Sequence, residues 1–258
     1  MNVKIYIATH KLYQMPASNM YQPIFLGATI HSGIPLHYQP DNAGDNISEK
    51  NPNFNELTAI YWIWKNCHAD VKGIVQYRRY LAADPKQQLN GILSEADIEQ
   101  LLAQRDVIVP KKRNYYIETN YSHYIHAHHQ EPLDTVRQVI VSDYPDYLAD
   151  YDRLMHKTSA HMFNMMIMPA KHFDAYAQWL FSILFKVESM VDISNYDQRE
   201  TRVFGYLSEL LLDVWLTHQQ LSCAEVPVMY MEKQQLPVKA YNLLKRKFFP
   251  QATKRTHF

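Results

Sequence analysis

Four short apolar runs alternate along this chain with amphipathic helical segments, and a polar, basic or proline signal ends each run. VKIYIA (3–8) stops at Thr9, His10 and Lys11, and KGIVQY (72–77) stops at Arg78-Arg79. DVIVP (106–110) runs straight into Lys111-Lys112-Arg113, and FNMMIMP (163–169) is closed by Pro169. Runs this short and this rich in β-branched residues read as buried strands. Between them, Leu57, Ile60, Tyr61 and Trp64 follow the i, i+3, i+4, i+7 spacing of one helix face. SEADIEQLLAQ offers Ser94 as an N-cap and an acidic first turn. Residues 132–157 read as helical with a break at Tyr144-Pro145. HFDAYAQWLFSILFKVESM and RVFGYLSELLLDVWLTHQ are two further amphipathic helices. Strands alternating with helices predict an α/β fold with a mostly parallel central sheet flanked by helices. In such sheets ligands bind just past the strand ends, where these polar groups stand. The stretch from Pro16 to Pro40 reads as loop, punctuated by Gly27, Gly33 and Pro35.

With 258 residues and 47% hydrophobic content, the chain can bury one sizeable core. A single domain over residues 1–232 is expected, followed by a different segment at 233–258. That segment holds seven Lys or Arg, no Asp or Glu, and the pair Phe248-Phe249. A basic stretch with apolar anchors suits the surface of an anionic membrane, and it equally suits a solvated chain end. Overall the formal net charge is zero, which argues against nucleic acid as a partner. No stretch approaches the roughly 18 apolar residues of a membrane span. The opening MNVKIYIATHK has too short an apolar run for a signal peptide. Two distant cysteines, Cys67 and Cys223, do not make a disulfide framework. A cytoplasmic protein is the expectation, with peripheral contact at the inner membrane face through the basic segment.

The strand-end cations carry the clearest chemistry. Tyr77-Arg78-Arg79-Tyr80 places two guanidinium forks after a strand, where they match the oxygens of a diphosphate. Lys111 and Lys112 repeat the pattern at what is expected to be a neighbouring strand end. His123, His126, His128 and His129 form a histidine cluster amid tyrosines. It fits a sugar or base platform, a structural role, or a zinc site, although no H-E-x-x-H pattern or nearby cysteine accompanies it. The Asp41–Glu56 stretch gathers Asp45, Asn46, Ser48, Lys50, Asn51, Asn55 and Glu56, some of which must serve as helix caps. Among the acids Asp197, Glu200 and Glu209, Glu209 lies on an otherwise apolar helix, a costly place unless it faces a polar cleft. The absence of GxGxxG, Walker A, GxSxG and CxxC patterns weighs against dehydrogenase, NTPase, serine hydrolase and redox readings.

Taken together, DNISEKNPNFNELTAIYWIWKN, GIVQYRRYL, DVIVPKKRNYYIETNYSHYIHAHH, FNMMIMPAKHFDAYAQWLF and RVFGYLSELLLDVWL resemble the DUF4422 family of bacterial capsular and exopolysaccharide biosynthesis proteins. The likeness runs from the first strand to about Gln220. That family is similar to glycosyltransferase family 111, whose activity is galactofuranosyl transfer from UDP-galactofuranose in O-antigen synthesis. The resemblance implies a GT-A-like fold and a UDP-sugar donor, with galactofuranose or another hexose moved to a lipid-linked or oligosaccharide acceptor. It also implies inversion, giving a β-linkage from an α-linked donor. Where the family pattern has His before Tyr-Arg-Arg-Tyr and Phe after it, this chain has Gln76 and Leu81, a departure that bears on sugar choice.

On this reading Thr9, His10 and Lys11 border the nucleotide, and Arg78, Arg79, Lys111 and Lys112 hold the phosphates. Asn46, Lys50, Asn55, Glu56, Tyr61, Tyr77, His123, His126, Asn164 and Arg202 shape the sugar and acceptor sites. Glu209 is the first candidate for the base, and Asp45 the second. The arginines stand in place of the Asp-x-Asp metal site of many GT-A enzymes, so no cofactor is required. Mn2+ or Mg2+ held by Asp45 or another acid is the alternative. Two rival readings make other predictions: a non-catalytic glycan-binding subunit would not turn over a nucleotide sugar, and a metal-dependent hydrolase would carry stoichiometric zinc on the histidine cluster.

Overall fold

The computed structural model describes residues 1–232, so the basic segment 233–258 and its proposed membrane contact lie outside the described residues. In chain order the elements are β1 (Val3–Thr9), β2 (Tyr21–Phe25), β3 (Gln39–Pro40), α1 (Asn51–Phe54), α2 (Leu57–Asn66), β4 (Val71–Gln76) and β5 (Arg79–Leu81). Then come α3 (Glu95–Leu102), β6 (Val107–Pro110), β7 (Arg113–Asn114), α4 (Asn120–Ala127), α5 (Gln130–Asp143) and α6 (Leu148–His156). The remainder is β8 (Ser159–Ala160), β9 (Met166–Pro169), α7 (Ala170–Met190), α8 (Val203–His218), β10 (Cys223–Val226) and β11 (Val228–Tyr230).

The main sheet has the order β10-β6-β9-β4-β1-β2-β3. Within it β4, β1, β2 and β3 pair in parallel, as do β6 and β10, while β9 runs antiparallel to both β4 and β6. The result is a mixed α/β fold with a largely parallel central sheet flanked by helices. β1 shows why its stretch Ile5–Ala8 is apolar without a break. Tyr6 and Ala8 join the core shared with α2, α5, α6, α7 and α8. Ile5 and Ile7 join the opposite core, which holds Ile98 of α3, Tyr80 of β5 and Met229 of β11. A parallel strand covered on both faces cannot alternate apolar and polar residues. α3 starts where expected: Ser94 accepts from the Asp97 backbone N–H while Asp97 accepts from Ser94, a reciprocal cap.

Two expectations are corrected. The stretch from Pro16 to Pro40 contains β2 and β3. β2 includes Pro23, but β3 covers only Ile24 and Phe25, so the outer edge at Pro23 is open and a missing N–H is tolerated there. The run at 163–169 becomes a strand only from Met166, because Phe163 and Asn164 have φ of 81° and 51°.

Asp41, fully buried just past β3, fastens this region together. One carboxylate oxygen accepts from the Gly27 N–H (2.8 Å) and the Thr58 hydroxyl (2.7 Å); the other accepts from the Ala28 N–H (2.9 Å) and the Ser48 hydroxyl. Gly27 (φ 65°) comes within 2.9 Å of Asn51 Oδ1 at the position a Cβ would occupy, so the turn after β2 closes directly on α1. Asp41→Asn puts an amide N–H₂ against two of these donors and is expected to cost about 2 kcal/mol, read as a lower urea midpoint.

Candidate functional site

An open cleft of about 430 Å³ lies past the carboxyl ends of β1 and β4. Four pieces of chain supply most of it, and Leu26 and His31 after β2 and Phe163 before β9 complete the wall. β1 and the residue after it contribute Ala8 and His10. β4 ends at Gln76, and Tyr77-Arg78 turns the chain into the antiparallel β5, with Gln76 paired to Arg79. That tight turn brings Gln76, Tyr77, Arg78 and Arg79 to the cleft. The α1–α2 junction adds Asn51, Asn55 and Glu56. Opposite, Arg199 and Arg202 precede α8, and Gly205, Tyr206 and Glu209 form its lining face. Arg202, Gly205, Tyr206 and Glu209 recur at i, i+3, i+4 and i+7, so one side of the helix meets the cleft. Gly205 lets α8 approach closely: a Cβ there would stand 3.1 Å from Asn55 Nδ2, tighter than ordinary contact.

The cleft is cationic with a carboxylate pair. Arg79 hydrogen-bonds Gln76 Oε1, and its guanidinium lies 4.5 Å from the centre of the Phe163 ring. Burial and neighbouring Arg78 lower its pKa, while Glu209, Tyr230 and Glu56 oppose that shift. Arg78, more exposed, sits over Tyr77 (5.1 Å) and 3.7 Å from Glu232. Arg202 Nε donates to Asn55 Oδ1 at 2.7 Å. His10, edge-on to Tyr77, is held below the ordinary imidazole value by burial and by Lys11, Arg78, Arg202 and His31. Glu209 accepts the Phe163 backbone N–H at 3.1 Å, a contact that the left-handed Phe163-Asn164 bend makes. Burial and then Glu56 push its carboxyl up to about 7, against the pull of that N–H and of Arg79 and Arg113. A carboxyl poised near neutrality in a cleft suits a general base.

Of the residues expected from the sequence, the cleft brings together His10, Asn55, Glu56, Tyr77, Arg78, Arg79, Arg202 and Glu209. Thr9 is buried and gives its hydroxyl hydrogen to the Lys11 carbonyl (2.7 Å); Lys11 rests its ammonium over Tyr77 at 5.3 Å, beside the cleft. Asn164 stands behind the wall, donating to Glu56 (2.8 Å) and to the Gly205 carbonyl (3.1 Å). The expectation that Lys111 and Lys112 share a neighbouring strand end with Arg78 and Arg79 is corrected by the sheet order. β9 lies between β6 and β4, and the two lysines, both exposed, are not among the lining residues. Asp45 accepts from the Tyr61 hydroxyl (3.1 Å), Asn46 caps its own loop, and Lys50 pairs with Glu188 (2.8 Å). These four stand outside the cleft lining. His123 and His126 both turn Nδ1 to the buried Glu118, at 2.7 Å each. Asn51, gathered in the Asp41–Glu56 set, also lines the cleft; sequence reasoning missed His31, Phe163, Arg199 and Tyr206. The face spacing from Arg202 to Glu209 could have found Tyr206; nothing local marks Phe163.

With this geometry in place, the chain can be set beside known proteins. The model of DUF4422, a domain of unknown function, matches residues 4–220. The chain belongs to the DUF4422 family. No curated protein matches it. Among solved structures it is similar to the apo form of WbbM, a bifunctional glycosyltransferase, with 27% identity and a TM-score of 0.83. The match covers 90% of this chain and 46% of the WbbM chain, so this DUF4422 member spans about half the length of that protein. Among the described residues, no helix is long and apolar enough to cross a membrane.

Proposed function

We propose that the chain is a glycosyltransferase that moves a sugar from a UDP-sugar, galactofuranose or another hexose, to a glycan acceptor in surface-polysaccharide assembly. The observation that carries this reading is Glu209, a carboxyl poised near neutrality, set in a cleft whose rim holds Arg78, Arg79, Arg199 and Arg202. The likeness to a bifunctional glycosyltransferase supports it. The acceptor hydroxyl attacks the anomeric carbon, Glu209 takes its proton, and the bond from that carbon to the diphosphate oxygen breaks with inversion. Charge gathers on the leaving diphosphate, and fixed guanidinium groups stabilise it more than they stabilise the bound donor. Glu56 and Asn55 bind sugar hydroxyls; the hydrogen bonds from Asn164 to Glu56 and from Arg202 to Asn55 support this by orienting both side chains. Tyr77 and His10 border the nucleotide. The acceptor is a lipid-linked glycan met through the basic segment 233–258.

Thermal shift with UDP-, GDP-, CMP- and dTDP-sugars, with and without Mn2+, tests the reading. Stabilisation by UDP-sugars is expected, and no shift with any of them would reject it. Since arginines occupy the diphosphate side, transfer is expected to survive EDTA; strict metal dependence would remove the arginine mechanism.

A further inference from the structure

Behind the cleft lies a small pocket of about 20 Å³, room for about one water. Asn120, His123, Tyr124 and Met162 contribute to its wall, and Tyr206 and Glu209 line both this pocket and the cleft. Glu209 therefore separates the two spaces. The Asn120 amide is fixed in orientation, because Nδ2 donates to the Leu154 carbonyl (2.9 Å) and the Ser159 carbonyl (3.1 Å). Among the described residues, its buried Oδ1 meets no donor and the buried Tyr124 hydroxyl meets no partner. Leaving such groups unsatisfied is costly, and a bound water recovers that cost.

On the far side of the pocket, Glu118 is buried and holds Nδ1 of both His123 and His126. Burial alone would push its carboxyl up, but the hydrogen bonds from His123 and His126 outweigh burial and keep it below the usual range. An ionised carboxylate only accepts, so both Nδ1 atoms carry hydrogen and a neutral His123 has its basic lone pair on Nε2. The His123 ring is stacked on Tyr115 at 3.7 Å, which fixes its plane. The charged groups facing Glu209 are Glu56, Arg79 and Arg113; the two guanidinium groups already carry all their protons and cannot accept another.

We propose that one water in this pocket links Glu209 to His123, so that the Glu118–His123–His126 cluster receives the proton that Glu209 takes from the acceptor. The Glu209 carboxyl gives its proton to the water as the water gives one to His123 Nε2. One O–H bond breaks at the carboxyl, one N–H bond forms at the ring, and the water is unchanged. Glu209 regains its charge, and the new imidazolium is balanced by Glu118. The source of the proton rests on the transferase reading; the link between the two sites does not.

The test therefore has an arm that needs no substrate. Infrared difference spectra of wild type against Glu209→Gln, taken across pH 5–9, isolate the Glu209 carboxyl band. His123→Phe keeps the ring on Tyr115 and removes both nitrogens, and Tyr124→Phe removes only the hydroxyl, which guards against a variant that fails to fold. In each the Glu209 band is expected to change frequency and its midpoint to rise by about half a pH unit, since a solvating contact is lost. Coincident bands and midpoints in both variants would overturn the link. In the second arm, His123→Phe is expected to lower kcat for transfer about tenfold with the donor KM unchanged. An unchanged kcat in a folded variant, with Glu209→Gln inactive, overturns the relay and leaves the transferase reading standing. No transfer by wild type rejects the transferase reading, and the spectra still decide the link.

Discussion

Glu209→Gln is expected to lower kcat for sugar transfer about 10³-fold, with the fold intact. Glutamine keeps the size of the side chain and can still meet the Phe163 N–H through its carbonyl oxygen, but it cannot take a proton. The base must be ionised to act, and its carboxyl is pushed up to about 7. The wild-type rate should therefore reach a plateau above about pH 7 and fall as pH drops through that value. Stability runs the other way. A carboxyl raised in the folded state favours folding while protonated, below its ordinary value of about 4.5, and that advantage is lost as pH rises through about 7. A tenfold change in proton affinity is worth about 1.4 kcal/mol, so the rise from 4.5 to about 7 makes keeping Glu209 ionised cost on the order of 3 to 4 kcal/mol. The variant should melt above wild type at pH 8 and together with it near pH 4. A rate profile without an acid limb near neutrality, or equal melting at both pH values, would remove Glu209 from the role of base.

Arg79→Ala is expected to reduce kcat/KM about 10²-fold, the usual cost of losing one preorganised donor to developing charge. Preorganisation is visible in its surroundings: Gln76 holds the guanidinium by a hydrogen bond, and the Phe163 ring lies against it. Arg79→Lys should recover only part of the loss, because an ammonium lacks the planar fork that meets Gln76, ring and phosphate together. Arg78→Ala is expected to cost less, since Arg78 is more exposed and already shared with Glu232. Steady-state kinetics with a UDP-sugar reads all three, and a loss below about threefold for Arg79→Ala in a folded variant would reject its role.

What local sequence reveals here follows from periodicity. The strands at Val3–Thr9, Val71–Gln76 and Val107–Pro110 are legible because burial on both faces demands mostly apolar runs without polar alternation. The helices at Leu57–Asn66 and Val203–His218 are legible by their apolar spacing. The edge strands β3, β7 and β8 have two residues each, and no pattern of period two can show in so few. Phe163 and Asn164 read as the start of a strand because both neighbours and composition fit one; the left-handed bend there is made by long-range bonds from Asn164 to Glu56 and Gly205.

By itself the sequence determined the layering of helices on a largely parallel sheet, the family, and the presence of arginines after β4 and an acid on α8. Those features depend on residues near one another in the chain, where spacing carries the information. Tertiary structure alone decided which of the charged groups share a cleft. Strand order is a property of chain crossovers, and it set β9 between β4 and β6, parting Lys111 and Lys112 from Arg78 and Arg79. The same long-range packing set Glu56 beside Glu209 across more than half the chain, and a carboxyl's proton affinity depends on such neighbours and on burial, which no local pattern encodes.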